Sequence, residues 1–152
     1  MKTEYGTTLT RENFYDHAVH FPFGVVTALD VLVRIPVGFN ADGSLFCVGE
    51  VPSHSALRLL KAPDFEASSC VGEIADLLAS TSSGLRDRPL LTFYCAGRRM
   101  HFGDAAANET EQLRSRTHAG RMFGALSLGE FNQDTQFGFP LFHNAAIVCV
   151  AP

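Results

Sequence analysis

The chain has 152 residues, 46% of them hydrophobic, enough to bury about 68–70% of the surface that its unfolded form exposes. That excludes a disordered protein and sets the expectation of a single domain over residues 1–152. With 12 Lys and Arg against 16 Asp and Glu, the net charge of −4 repels phosphate, so no nucleic-acid partner is expected.

The first ten residues carry no apolar run of the secretory kind, and the most apolar stretch, Phe23 to Phe39, is broken by Asp30, Arg34 and Pro36. The expectation is a soluble, cytoplasmic protein without a membrane partner. Cys47, Cys70, Cys95 and Cys149 form no C-x-x-C pair and sit among apolar neighbours, as free core thiols in a reducing compartment do.

In chain order, Phe14, Ala18 and Phe21 recur at helical spacing between Thr10, a capping residue, and Pro22, which forbids continuation. This predicts a short helix over 10–21. The β-branched run Val25 to Val37, the turn Asn40-Ala-Asp-Gly43 and the run Ser44 to Val51 predict a hairpin, and a third strand over 56–61 extends it. Asp64 opens a second helix whose stripe is Ala67, Val71, Ile74 and Leu78.

Leu90 to Cys95 is apolar on both faces, which places it inside a sheet with its second face covered or meeting a partner. A third helix over 105–119 has Leu113 as its large apolar anchor, with Glu109, Glu111, Arg114 and Arg116 solvated around it. Strands over 122–128 and 141–150 follow, separated by the connection 129–140. The fold class is therefore α/β (α+β): a layered single domain with one mixed β-sheet of about six strands and three helices packed on it.

Polar side chains and glycines cluster at predicted strand ends, in Cys95-Ala-Gly97-Arg98-Arg99, at Glu109, in Gly129-Glu130 and in His143-Asn144. An arginine at a strand's carboxyl end can fork onto a carboxylate, and Gly97 lets a ligand approach. The structural alternative is an Arg98–Glu130 ion pair. Cys95, His143 and Glu130 have the residue types of a thiol nucleophile, its base and an orienting carboxylate, but four cysteines and six histidines make such a set easy to draw. Arg34 interrupts an apolar strand and must be paired, exposed or aimed into a pocket. His17 and His20 lie three apart with no third ligand placed by sequence, so no metal and no cofactor is expected.

Taken in order, Tyr5, Val33-Arg34-Ile-Pro36, Asp42-Gly-Ser-Leu45, Gly49-Glu-Val-Pro52, Leu91-Thr-Phe-Tyr-Cys-Ala-Gly-Arg98, Glu109, Gly124-Ala-Leu-Ser-Leu-Gly-Glu130 and Phe142-His-Asn144 resemble the FIST C domain over nearly the whole chain. The sequence departs from that pattern at Ser53-His54-Ser55, where acidic and Gly residues are usual, and at Arg99, where Gly often stands.

The resemblance implies a non-enzymatic sensory module of a signalling protein that binds a small polar metabolite such as an amino acid. It carries over Arg34, Cys95, Gly97, Arg98, Glu109, Gly129, Glu130, His143 and Asn144 as ligand-binding residues. Arg34 or Arg98 suits a carboxylate, and Glu109 or Glu130 an ammonium. A signalling protein or a FIST N domain, which is not expected within this chain, would be the partner. The alternatives are a Cys- and His-dependent hydrolase or transferase, and an interaction module that forms a homodimer.

Overall fold

The computed structural model describes residues 6, 8–28, 30–81, 85–133 and 140–150. In its first half, α1 (Phe14–Ala18) leads into β1 (Phe23–Val26), β2 (Val31–Arg34), β3 (Pro36–Phe39), β4 (Leu45–Cys47) and β5 (Leu57–Leu59). α1 is shorter than the spacing predicts. Residues 11–13 form a turn, in which Thr10 N–H donates to Asn13 Oδ1 at 2.7 Å and Asn13 N–H to Thr10 Oγ1 at 3.4 Å.

The expected strand from Val25 to Val37 is three strands. Between β1 and β2, Thr27 Oγ1 donates to Asp30 O and accepts from Asp30 N–H, which turns the chain. At Pro36 the chain then leaves β2 for the β3–β4 hairpin, whose turn at Asn40–Ser44 forms as predicted around Gly43 at φ +85°. β5 does not extend that hairpin; it pairs with β1, giving the order β2-β1-β5. His54 stands at φ +63°, a left-handed conformation that favours glycine, in the segment where the FIST C pattern carries one.

In the second half, α2 (Cys70–Thr81) begins later than Asp64, after a 3-10 turn at Phe65–Ala67 and an extended Ser68. β6 (Pro89–Cys95) runs directly into α3 (Ala96–Phe102), then come α4 (Ala105–Thr117) and β7 (Arg121–Ser127). β8 (Glu130–Gln133) and β9 (Pro140–His143) form a hairpin, and β10 (Ile147–Val150) closes the order β10-β6-β7. β6 lies between an antiparallel β10 and a parallel β7, so the mixed sheet with a βαβ crossover holds. The single six-strand sheet does not: the described residues form ten strands in four sheets and four α-helices, because turns and bends divide the long apolar runs.

One core lies between this sheet and α2 and α4, where Leu90, Tyr94, Ile147, Val71, Ala106 and Leu113 meet. On its other face the sheet stays open, with Phe93, Phe123 and Val150 exposed by 38%, 56% and 46%. A second, smaller cluster of Val19, Ile35 and Cys95, packed by Val33 and Ala145, joins the two halves. No helix among the described residues is long and apolar enough to cross a membrane.

Candidate functional site

Arg34, Cys95, Arg98 and Glu130 converge on the segment 142–146, which runs from the end of β9 through a bend toward β10 and in which Ala145 takes φ +63°. Asn144 Oδ1 accepts from Ile35 N–H at 3.0 Å, Asn144 Nδ2 donates to Leu128 O at 3.1 Å, and Asn144 N–H donates to Val33 O at 3.2 Å. Its amide thus ties β2 to the β7–β8 connection. Cys95 accepts from Ala145 N–H at 3.2 Å through Sγ. Glu130 accepts from Ser127 Oγ at 2.6 Å and from Ala146 N–H at 3.3 Å.

Arg98 projects from α3 toward α4, where Nε and Nη2 fork onto Glu109 at 2.9 and 2.6 Å. The same guanidinium donates to Ser68 Oγ at 2.8 Å and to Ala145 O at 3.2 Å, and stacks over Phe102. Tyr94 O–H donates to Glu109 Oε2, the oxygen that also accepts from Arg98 Nε. Glu109 is therefore fully buried at 1% exposure, not solvated, because the helix face that carries it meets Tyr94 and Arg98. The Arg98–Glu130 ion pair is replaced by this Arg98–Glu109 pair, since α3 aims the guanidinium at α4. Ser68 also explains the late start of α2: its extended backbone presents Oγ to Arg98.

Electrostatics follow from burial. Desolvation pushes the Tyr94 hydroxyl far above its usual pKa, with the Glu109 bond adding to it. Burial is the largest single influence on Arg98 and opposes its charge, but the Glu109 bonds together with the nearby Cys70, Glu109 and Tyr94 raise its pKa. Burial also raises Cys95 and Glu130. Cys95, 1% exposed, is thus kept as a thiol.

Two candidate glycines are contact points. A Cβ on Gly97 would meet Ile35 Cδ1 at 2.6 Å, and one on Gly129 would meet the Phe142 ring at 2.1 Å. His143 stands opposite Glu130 in the β8–β9 register, and the strand ends there, so Asn144 escapes the strict alternation expected of a continuous strand.

Arg34 differs from the rest. It is 6% exposed, with Nε donating to Glu50 O at 2.8 Å and Nη1 to Val33 O and Phe142 O at 3.0 and 2.8 Å. Its guanidinium lies 5.4 Å from the Phe142 ring centre. Among the described residues it has no carboxylate in ion-pair contact, and Nη2 has no hydrogen-bond partner.

The family model for the FIST C domain matches residues 3–133. The chain belongs to the FIST C domain family. Seven of the nine candidate positions, Arg34 to Glu130, fall within that match, whereas His143, Asn144 and the 142–146 backbone that several of them bond to lie just beyond it. As a FIST C domain the chain is a sensory domain of the kind found in signalling proteins. Neither curated proteins nor solved structures give a significant match to it.

Sequence reading of this FIST C domain missed Tyr94, Ser68 and Ser127 as partners, and the 142–146 backbone as their common target. A signal existed only for Tyr94, which lies two positions from Thr92 on the inward face of β6. For His17 and His20, the described residues contain no group of three or more metal-ligating side chains; His20 instead meets His101 of α3.

Proposed function

We propose that this FIST C domain senses a small carboxylate-bearing metabolite, such as an amino acid, whose carboxylate docks on Arg34. The observation that carries this is the Arg34 guanidinium, whose Nε and Nη1 donate to backbone carbonyls while Nη2, without a partner among the described residues, reaches solvent. A guanidinium largely withdrawn from water and without a carboxylate in ion-pair contact favours a bound carboxylate at its open Nη2. Arg98, the other arginine suited to a carboxylate, is forked onto Glu109, and Glu130 is held by Ser127 and Ala146. Glu50, exposed next to Arg34 and acting on its charge, supplies the carboxylate for a ligand ammonium. The buried, protonated thiol of Cys95 favours binding over covalent chemistry as the mode of action.

A thermal-shift screen against amino acids and other small carboxylates tests this reading, with Arg34→Lys and Arg34→Met beside the wild type. A ligand at 100 times its Kd adds about 2.7 kcal/mol. The expected result is a hit that weakens in Arg34→Lys and disappears in Arg34→Met. A hit equally strong in both variants overturns the Arg34 site.

The open sheet face supports a second role within the same module. Phe93, Phe123 and Val150 form an exposed apolar surface that suits docking of a signalling partner or a second copy. Light scattering checks the second copy: a dimer that dissociates in Phe123→Lys assigns this face to self-association, and a strict monomer removes the homodimer.

A further inference from the structure

The cleft between the end of α1 and α3 holds polar groups that neither role uses. It has a volume of about 330 Å³, lined by His17, His20, Lys61, Asp64 and His101 beside Phe21, a size that suits a small ligand. Its walls are fixed to one another, since Ala62 N–H donates to His20 O at 2.9 Å.

Hydrogen-bond bookkeeping sets the state of the two imidazoles. His101 Nε2 lies 2.7 Å from Pro63 O, and a carbonyl only accepts, so His101 carries its proton on Nε2. The neutral ring then offers a lone pair at Nδ1. His20 Nδ1 lies 2.6 Å from that atom, so it must be the donor, and His20 Nε2 is left as a lone pair. No described residue bonds to that nitrogen. One proton can be added at Nε2 without disturbing the relay from His20 through His101 to Pro63. A second cannot, because it would place hydrogens on both Nδ1 atoms within 2.6 Å.

We propose that this cleft binds a small oxyanion, a phosphoryl or carboxylate group, and that His20 Nε2 takes up a proton from solvent as the anion arrives. The charged groups around His20 are Asp16 on α1, and Lys61 and Asp64 in the segment after β5; its titratable neighbours are His17 on α1 and His101 on α3. Lys61 attracts the anion, and the two aspartates disfavour a multiply charged one. Without ligand, burial first, then His101 and His17, hold His20 below its usual pKa, with Asp16 opposing them. An anion against Nε2 reverses that balance, so binding tightens as pH falls.

Nitrogen-resolved NMR of the wild-type imidazoles, titrated separately with inorganic phosphate and with acetate, tests the proposal. The expected result for the free protein at neutral pH is a His20 ring protonated at Nδ1 and bare at Nε2. Saturating anion should then raise the His20 pKa by about one unit or more, a tenfold preference for the charged ring. A response to phosphate alone assigns a phosphoryl ligand, and a response to acetate alone a carboxylate. A free-protein proton on His20 Nε2, or a His20 pKa that neither anion moves, overturns the proposal.

Discussion

Arg98 and Arg34 are both withdrawn from solvent and both donate to carbonyls of the 142–146 segment, and their company differs. Arg98 has a buried carboxylate, a hydroxyl, a carbonyl and an aromatic face around it, and Glu109 is completed by Tyr94. Arg34 has backbone carbonyls and an aromatic face, and no carboxylate among the described residues. An arginine already paired holds a fold together; one buried without a counter-ion has binding capacity left over.

Breaking the paired side should have the largest effect. Glu109→Gln leaves the Arg98 charge buried and uncompensated, and a loss of about 3–5 kcal/mol in urea unfolding is expected. Replacing both partners, as Arg98→Met with Glu109→Leu, should be far less damaging than the sum of the single changes. A loss under about 1 kcal/mol for Glu109→Gln would erase the contrast with Arg34.

Next comes the platform that aims Arg98. Gly97→Ala presses a methyl on Ile35 Cδ1 at 2.6 Å, with an expected loss of about 1–3 kcal/mol by the same unfolding assay. No change in midpoint would mean that α3 can shift without cost, and so does not fix the guanidinium.

The unpaired side should be milder. Arg34→Met removes hydrogen bonds to carbonyls but also an uncompensated buried charge, so a loss of about 1–2 kcal/mol is expected. If it destabilises as much as Glu109→Gln, Arg34 is a structural residue like Arg98 and the proposed ligand site falls.

The smallest effect extends the contrast to His20. Its folded pKa lies below the usual 6.5, so the unfolded chain binds the proton more readily. Stability from neutral His20 is present above 6.5 and is lost as pH falls toward the folded value. Between about pH 8 and pH 5, Tm should drop more steeply in the wild type than in His20→Asn. A steeper drop in the variant would contradict a lowered His20 pKa.

How much of this was legible follows from what periodicity encodes. The Asn40–Ser44 turn, the place of β6 inside a sheet and the Leu113 anchor of α4 are local patterns, and all appear. The division of Val25–Val37 was missed because Thr27 and Asp30 make their turn with side-chain bonds that a hydrophobic run hides. α3 was missed because it starts at the residue after β6, with Cys95 serving as both strand end and cap.

The ordered motifs by themselves determined the family and singled out residues whose side chains do converge in space. They could not decide which arginine is paired, because Arg98 and Glu109 meet only when α3 and α4 fold back against β6, and Arg34 meets Phe142 O across 108 positions of chain. Nor could they bring His20 to His101, 81 positions away. Sequence pattern records which side chains a backbone turns inward, by the period of helix or strand; which two of them touch depends on packing between distant elements, and with it pairing, pKa and the capacity to bind.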